Sequence, residues 1–375
     1  MGAWASAPSG PTYPLALNQS FRTVVRPTAA GDSLRLVLSN QYGDGPVEFR
    51  SVSVARRATG PAIQPDSTRP VTFGGALEIT AQPGNQVISD PVLLPVEFGE
   101  DLAISFHVPT PARRVTGSGI SAFNRTAYES PPGSGDYTHD TGGAGFAITN
   151  TFVPFLTRID VNSPITRGTV VAFGDSVTEG TATAPDSHAD YPARLAARLH
   201  AESIPVSVIN TGIGGNTLLP CGAAESVFGP PAVERFRRDV LSVPHVTTVI
   251  ITEGGNDLRY CGRTAIDLEK ALQQLIDTAH AAGLKVLLGT YIPRVSRTVL
   301  LPDAMPDFLG DDQRQILNAW IRDRRDVTVV DFDRAVANPA GTHQQPRTES
   351  MDGIHPGPRG YQLMADTVPV TELSP

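Results

Sequence analysis

A serine, an aspartate and a histidine stand in this chain in an order that suits nucleophilic catalysis. Ser176 follows the apolar residues 170–173 across a short Gly-Asp turn. Asp352 and His355 lie near the other end of the chain, in the element Asp-Gly-Ile-His. A histidine activates a serine hydroxyl when a carboxylate fixes its tautomer and stabilises the imidazolium that forms. The three residues therefore predict the catalytic triad of a serine esterase.

Each of these elements has a simpler interpretation when it is taken alone. A serine directly after a strand is commonly a helix N-cap. Asp352 and His355 could form an ordinary polar loop or supply two metal ligands. No other cluster of His, Cys or acidic residues in the sequence completes a metal site at the usual spacing. The sequence therefore predicts no metal site.

Two glycine-rich turns lie between the serine and the histidine, and each follows an apolar run. The first turn falls within residues 208–217 and contains Gly215, whose backbone N–H could point at an oxyanion. The second falls within residues 252–257 and contains Asn256, whose amide could donate to the same oxygen. The alternatives are a tight glycine turn and an Asn-Asp turn. In this interpretation Ser176, Gly215 and Asn256 form an oxyanion hole.

Composition excludes several classes of partner. The chain of 375 residues carries a formal net charge of −8, whereas nucleic-acid binding needs a basic face. No apolar run approaches the roughly 18 residues that a membrane-spanning helix requires. We therefore expect neither a nucleic-acid partner nor a membrane span.

The chain divides near residue 165 into two regions with different patterns. Residues 1–165 consist of short alternating segments separated by Gly, Pro, Asn and Asp. Many short strands with frequent turn signals are typical of a β-sandwich or jelly roll. The predicted strands include residues 33–39, 49–56, 71–73, 77–80, 87–89 and 102–108.

Residues 166–375 alternate between apolar runs and helical periods, which predicts a parallel, doubly wound sheet covered on both faces. Ligands of such sheets bind beyond the carboxyl ends of the strands, where the turns described above fall. In the third predicted helix we expect Ile316, Leu317 and Trp320 to share the buried face. The predicted strands are residues 170–173, 206–209, 246–252, 284–289 and 327–332, and the helices are residues 191–202, 266–282 and 311–325.

Together the four elements resemble the GDSL, or SGNH, hydrolase superfamily, whose sequence blocks are named for Ser, Gly, Asn and His. Ser176, Gly215, Asn256 and His355 match these blocks in order, and Asp352 matches the usual Asp-x-x-His position. The resemblance covers about residues 168–368. One difference is a valine after Ser176, where the signature has leucine. The all-β first region is similar to the accessory domain of some two-domain actinobacterial members.

The resemblance implies a flavodoxin-like three-layer fold and ester hydrolysis without a cofactor. It implies that His355 deprotonates Ser176, and that the N–H groups of Ser176 and Gly215 and the amide of Asn256 hold the oxyanion. The α/β-hydrolase fold is disfavoured, because the sequence has no Gly-x-Ser-x-Gly elbow at a strand end.

The two cysteines, Cys221 and Cys261, come shortly after Gly215 and Asn256. The superfamily geometry implies that these two turns meet at one oxyanion, so the cysteines would lie within reach of a disulfide; two free thiols are the alternative. A disulfide implies an oxidising compartment. We therefore expect a secreted protein whose signal peptide is missing from this sequence; a cytoplasmic protein is the alternative.

The substrate is the least determined part of the prediction. We expect residues 181–190, 218–231 and 293–308 to wall the site; they mix Pro, Ala and Leu with few aromatic residues. This composition favours a small-molecule ester with a short acyl chain, or an acetylated carbohydrate. A lipase or phospholipase of the same superfamily is one alternative. Another is a carbohydrate-binding protein with an inactive hydrolase-like domain.

Overall fold

The computed structural model describes residues 1–13, 15–118, 124–222, 225–294 and 311–373. Within it the chain forms two compact units, Met1–Arg167 and Gly168–Pro375. In the described parts of the chain, no helix is both long and apolar enough to cross a membrane.

The first unit consists of antiparallel sheets. One sheet has the strand order β1-β14-β4-β8 and a second has the order β13-β10-β2. The third has the order β12-β11-β3-β9-β5-β6, and β7 also pairs with β5. The strands are β1 (Gly2–Ala5), β2 (Gly10–Tyr13), β3 (Gln19–Val25), β4 (Ser33–Ser39), β5 (Val47–Arg56), β6 (Arg69–Pro70), β7 (Glu78–Ala81), β8 (Gln86–Ile88), β9 (Leu102–Val108), β10 (Val115–Ser118), β11 (Ala127–Glu129), β12 (Ile148–Asn150), β13 (Val153–Pro154) and β14 (Leu156–Asn162).

One hydrophobic cluster fills the interior of this unit and draws side chains from different sheets. Leu36 of β4 and Phe49 of β5 both belong to it and are fully buried. The ring of Phe106 packs against those of Phe21 and Phe49, with centroids 5.5 and 5.7 Å apart. A shared apolar core between sheets is what stabilises a sandwich. The prediction of an all-β first region is confirmed.

One predicted strand of this unit is wrong. Residues 71–73 lie between β6 and a turn, and Phe73 forms only an isolated bridge with Ala76. The two glycines that follow, Gly74 and Gly75, have positive φ values of 60° and 84°, so the chain reverses immediately after Phe73. A run of three apolar or β-branched residues is too short to outweigh that turn.

The second unit is a parallel five-stranded sheet with the order β16-β15-β17-β18-β19. This is the flavodoxin-like order, in which the chain reverses direction across the sheet between its first and third strands and opens a crevice at their carboxyl ends. The predicted α/β fold is confirmed. The strands are β15 (Gly168–Gly174), β16 (Val206–Asn210), β17 (Val246–Thr252), β18 (Lys285–Gly289) and β19 (Thr328–Val330).

The helices of this unit lie between and after its strands along the chain. In the longest, α6, the side chains of Leu268, Leu272 and Ile276 form a buried stripe, and Thr264 and Asp267 form a capping box at its start. The helices are α1 (Ser176–Glu179), α2 (Tyr191–Ala201), α3 (Glu225–Phe228), α4 (Ala232–Phe236), α5 (Gly255–Tyr260), α6 (Ala265–Ala281), α7 (Asp311–Arg322), α8 (Phe332–Val336) and α9 (Pro358–Thr367).

The buried face predicted for the third helix is right at Leu317, which is fully buried, and wrong at Ile316. Ile316 of α7 is 52 % exposed, whereas Arg314 and Asn318 are buried beside Leu317. Both polar side chains donate to the carbonyl oxygen of Tyr291, at 3.1 and 2.9 Å. These hydrogen bonds offset the cost of burying the two polar side chains. The buried face of α7 therefore includes polar residues, and it is not the face on which the apolar residues of the helix are concentrated.

Candidate active site

Ser176 lies at the sharp step from β15 to α1. The side chain of Asp175 caps this short helix by accepting a hydrogen bond from the Val177 amide at 2.9 Å. Ser176 is the first residue of the helix and is only 5 % exposed. Val177, which replaces the leucine of the family signature, is buried at 1 % exposure and fills the same kind of apolar position. The cap and the buried valine hold the serine hydroxyl in one place.

A continuous chain of hydrogen bonds joins Ser176, His355 and Asp352. The Ser176 Oγ and His355 Nε2 atoms are 2.8 Å apart, and the other ring nitrogen, Nδ1, lies 2.6 Å from Asp352 Oδ2. The serine and the histidine are 179 residues apart in the chain. The arrangement places a base next to a nucleophile and a carboxylate behind the base, as a triad requires.

Asp352 is held as a carboxylate. Its Oδ1 accepts hydrogen bonds from the Ser350 hydroxyl at 2.6 Å and from the amides of Ile354 and His355 at 2.8 and 2.9 Å. Burial alone would raise the pKa of Asp352, but the hydrogen bond and charge of His355, helped by Ser350, lower it well below its ordinary value of 3.8. The carboxylate therefore keeps its charge through the neutral range and can stabilise an imidazolium.

Gly215 occupies a backbone conformation that favours glycine. Its φ is 73°, and a Cβ at this position would lie 2.4 Å from a ring carbon of Phe228. Its carbonyl oxygen accepts a hydrogen bond from the Tyr260 hydroxyl at 2.6 Å. The neighbouring carbonyl, that of Asn216, accepts from the Nδ2 of Asn256 at 2.7 Å. These contacts join the Gly215 turn to the Asn256 turn.

The family-model comparison adds an independent finding to this geometry. Residues 172–363, just over half of the chain, match the model of the GDSL-like Lipase/Acylhydrolase family. The chain belongs to this family. The match begins within β15 and extends through the His355 loop into α9, so it spans all the candidate residues. The resemblance to GDSL hydrolases is confirmed.

Solved structures similar to this GDSL-like chain cover its second half. A carbohydrate acetylesterase from Sinorhizobium meliloti is 20% identical, with a TM-score of 0.44, over 55% of this chain and 99% of that one. An aryl esterase from M. smegmatis is 18% identical, with a TM-score of 0.45, over 55% and 99%. A GDSL-like lipase from Bacteroides thetaiotaomicron is 20% identical, with a TM-score of 0.41, over 55% and 88%. A search of curated proteins finds no match.

Sequence reasoning missed a buried arginine that connects the site turns of this GDSL-like domain. The guanidinium of Arg235 donates to the carbonyl oxygens of Gly174 and Thr211 at 2.9 and 2.8 Å, and to Asn216 Oδ1 at 2.8 Å. It also pairs with Glu253 at 3.1 Å. These partners lie at or just after the carboxyl ends of β15, β16 and β17. An arginine in a short helix gives no sequence signal for burial, because its partners come from distant segments.

The structure joins Cys221 and Cys261 in a disulfide, with Cα atoms 5.7 Å apart. Next to it, the carboxylate of Asp257 accepts hydrogen bonds from the amides of Leu218 and Leu219 at 2.7 and 2.9 Å. Burial raises the pKa of Asp257 to about 6, so at neutral pH the side chain is an anion that serves both amides. The loops that follow Gly215 and Asn256 are thus joined twice.

Replacing both cysteines by serine is expected to lower the free energy of unfolding by about 2–4 kcal/mol, because the bridge constrains the unfolded chain. Chemical denaturation without reductant measures the difference. Reductant should destabilise the unchanged protein and leave the Cys221→Ser/Cys261→Ser variant unaffected. Two titratable thiols in denatured, unreduced protein made under oxidising conditions would contradict the bridge.

The predicted walls of the site are described in part. Residues 181–190 and most of residues 218–231 are described, whereas residues 295–308 of the third wall lie outside the described residues. Among the residues that are described, no group of three His, Cys, Asp or Glu side chains is placed to hold a metal ion.

Proposed function

We propose that this protein is a serine esterase that hydrolyses carboxylic esters, with Ser176 as nucleophile, His355 as base and Asp352 as its orienting carboxylate. The observation that carries the proposal is the hydrogen-bonded chain through these residues, at 2.8 and 2.6 Å, at the carboxyl end of β15. Membership of the GDSL-like family supports the same chemistry.

In the proposed mechanism, His355 Nε2 removes the hydroxyl proton of Ser176 while Oγ attacks the ester carbonyl carbon. The bond between the carbonyl carbon and the alcohol oxygen then breaks, and the proton on His355 passes to that oxygen. The alcohol departs, and the acyl group stays bound to the serine. A water molecule gives its proton to His355 and attacks the acyl carbon. The bond between the acyl carbon and Ser176 Oγ then breaks, the acid is released, and the proton on His355 passes to Oγ.

The negative charge that develops on the carbonyl oxygen needs fixed donors. We propose the backbone N–H groups of Ser176 and Gly215 and the side-chain amide of Asn256, each contributing about 2.7–4 kcal/mol to transition-state stabilisation. Ser176 begins α1, so its amide is free of the intrahelical ladder and lies at the positive end of the helix. The Asn216 carbonyl that holds Asn256 supports the placement of these donors on neighbouring turns.

The substrate that we propose is an ester with a short acyl chain, including acetyl groups carried on carbohydrate. The composition of the described walls supports it, since Pro, Ala and Leu leave little aromatic surface for a long chain. The binding-protein alternative is disfavoured, because a site without turnover does not require nucleophile, base and carboxylate in mutual hydrogen bonds.

We also propose that Gly168–Pro375 is the catalytic domain and Met1–Arg167 an accessory domain. The division lies two residues beyond the boundary expected near residue 165. The Cys221–Cys261 disulfide supports an extracytoplasmic location, since such bonds persist in oxidising compartments.

Hydrolysis of a series of p-nitrophenyl esters, from acetate to palmitate, together with acetylated xylan, tests the proposal. We expect kcat/KM to be largest for the shortest acyl chains and turnover to fall by at least about a thousandfold in Ser176→Ala. A maximum at long chains would replace the short-chain esterase with a lipase or phospholipase. Purified protein that hydrolyses none of these esters would contradict the proposed function.

Asn256→Ala is expected to lower kcat by about two to three orders of magnitude with little change in KM, because the amide acts mainly in the transition state. Asn256→Asp should be at least as harmful, since it places a negative charge beside the oxyanion. Steady-state kinetics on p-nitrophenyl acetate measures both. Asn338→Ala is the control, since among the described residues the hydrogen bonds of that side-chain amide are to the loop residues Thr342 and His343. A raised KM with unchanged kcat would make Asn256 a ground-state contact.

A further inference from the structure

The guanidinium of Arg294 bridges two elements of the candidate site. Arg294 lies beyond the carboxyl end of β18, and its side chain is 11% exposed. Its Nη2 donates to Asp175 Oδ2 at 2.7 Å, and its Nη1 donates to Asn256 Oδ1 at 3.2 Å. Neither the GDSL sequence blocks nor the triad chemistry gives this arginine a role.

The first consequence concerns the side-chain amide of Asn256. Its oxygen faces the Arg294 cation, and its nitrogen donates to the Asn216 carbonyl oxygen at 2.7 Å. An amide nitrogen carries two hydrogens, and among the described residues only one of them is used by a protein acceptor. A 180° flip would turn the NH2 group toward a cation and the oxygen toward another carbonyl oxygen. Arg294 and the Asn216 carbonyl therefore select together the orientation of the Asn256 amide, and Arg294 is the partner that holds its oxygen.

The second consequence concerns the turn before the nucleophile. Asp175 uses Oδ1 to cap α1 through the Val177 amide and uses Oδ2 to bind Arg294. Burial alone would lower the pKa of Arg294, but the charge and hydrogen bond of Asp175 raise it above its ordinary value. A planar guanidinium presents several N–H groups in a fixed fork, so one side chain can hold both partners in a set relation.

The sequence at the start of α5 accommodates this bridge. A Cβ at Gly255 would lie 2.8 Å from the guanidinium carbon of Arg294, well inside contact distance. A side chain at position 255 would therefore require the Arg294 guanidinium to shift from this position. The glycine directly before Asn256 allows the arginine to approach the amide.

We propose that Arg294 is a positioning residue that orients the Asn256 amide toward the oxyanion and fixes it relative to the turn that carries Ser176. The proposal rests on the proposed esterase function. Misplacing a catalytic donor by about 1 Å can cost roughly a hundredfold in rate. We therefore expect Arg294→Gln to lower kcat on p-nitrophenyl acetate by about 10- to 100-fold, with KM changed by less than about twofold.

A double-mutant cycle with Asn256→Ala separates this role from general destabilisation. If Arg294 acts through Asn256, Arg294→Gln should lower kcat by less than about threefold once the amide is absent. Arg294→Lys is carried through the same cycle, because it keeps the cation but lacks the fork; we expect it also to lose kcat only when Asn256 is present. Arg324→Gln is the control, since Arg324 pairs with Asp326 and lies over the Trp320 ring.

The same assays include the unchanged protein and Ser176→Ala, so two failures can be told apart. Absent ester hydrolysis by the unchanged protein, or full activity in Ser176→Ala, would overturn the proposed function itself. If those two behave as expected, Arg294→Gln with unchanged kcat would overturn the positioning role alone. The positioning role would also be overturned if Arg294→Gln and Arg294→Lys each lowered kcat by the same factor with Asn256 present as in the Asn256→Ala background. The arginine would then act independently of Asn256.

Discussion

Ser176→Ala is expected to lower kcat by at least about a thousandfold while the protein folds normally. In the proposed mechanism Ser176 Oγ forms the bond to the acyl group, and this atom lies 2.8 Å from the proposed base, His355 Nε2. The substitution removes this oxygen and leaves the Asp175 cap of α1 in place, since that cap involves the Val177 amide.

Steady-state kinetics on p-nitrophenyl acetate, with far-UV circular dichroism and thermal unfolding of the same samples, measures this result. Ser203→Ala is a matched control, because Ser203 is exposed just after α2 and lies outside the expected walls of the site. Comparable turnover in Ser176→Ala and the unchanged protein would remove the triad assignment. Some activity above the uncatalysed rate is expected to remain, because donors to the oxyanion still act without the nucleophile.

The parts of the second unit that sequence reasoning placed well are those with a strong local signal. The predicted strand at residues 246–252 coincides with β17, and the predicted helix at residues 266–282 lies within one residue of α6 at each end. A run of β-branched residues followed by glycines and a long stripe with helical period are each sufficient to indicate one structure. The turns that contain Ser176, Gly215 and Asn256 could be predicted because they directly follow such runs.

Short helices next to the site had no such signal. Helix α1 has four residues and α5 has six, which is less than two helical turns. A period of 3.6 residues cannot be recognised over so few positions. These helices form because Asp175 caps the first and Gly254 allows the chain to turn into the second, and both effects depend on the neighbouring strand ends.

Other strands were not predicted because they contain buried polar residues. Strand β3 was not predicted, and every one of its residues is buried, including Arg22. The Arg22 guanidinium donates to the carbonyl oxygens of Asp140 and Thr138 at 2.9 and 3.1 Å and lies over the ring of Phe146. These two carbonyl groups are more than a hundred residues away from Arg22 in the chain. A pattern of apolar residues cannot show a polar side chain that is satisfied only in the fold.

Arg235 and Arg294 were missed for the same physical reason. Each is defined by what its guanidinium reaches, namely carbonyl groups and carboxylates at several strand ends. The sequence blocks identified the candidate reactive groups. The groups that hold them in position appear only when the strand ends are brought together, which is why the proposed role of Arg294 required the structure.

His355→Ala is expected to lower kcat nearly as far as Ser176→Ala, because without the imidazole nothing accepts the serine proton or protonates the leaving alcohol. Asp352→Ala should be about ten- to a hundredfold less severe than Ser176→Ala. The His355 loop keeps support of its own, since the His355 carbonyl accepts a hydrogen bond from the Ser350 amide at 2.8 Å. Residues that act as one unit are not additive, so Ser176→Ala/His355→Ala should be no slower than Ser176→Ala alone.

The single and double variants are compared by kcat on p-nitrophenyl acetate across the neutral pH range, with His343→Ala as the control for an exposed histidine. Because its hydrogen bonds and the charge of His355 hold the pKa of Asp352 below 3.8, the carboxylate stays charged across that range. The penalty of Asp352→Ala should therefore not disappear at any of these pH values. Folding stability that this carboxylate contributes is present above pH 3.8 and is lost as pH falls below it.

A further large loss of kcat in Ser176→Ala/His355→Ala, or near-normal turnover in His355→Ala, would show that the histidine and the serine do not act together. The proposed proton transfer between them would then be wrong.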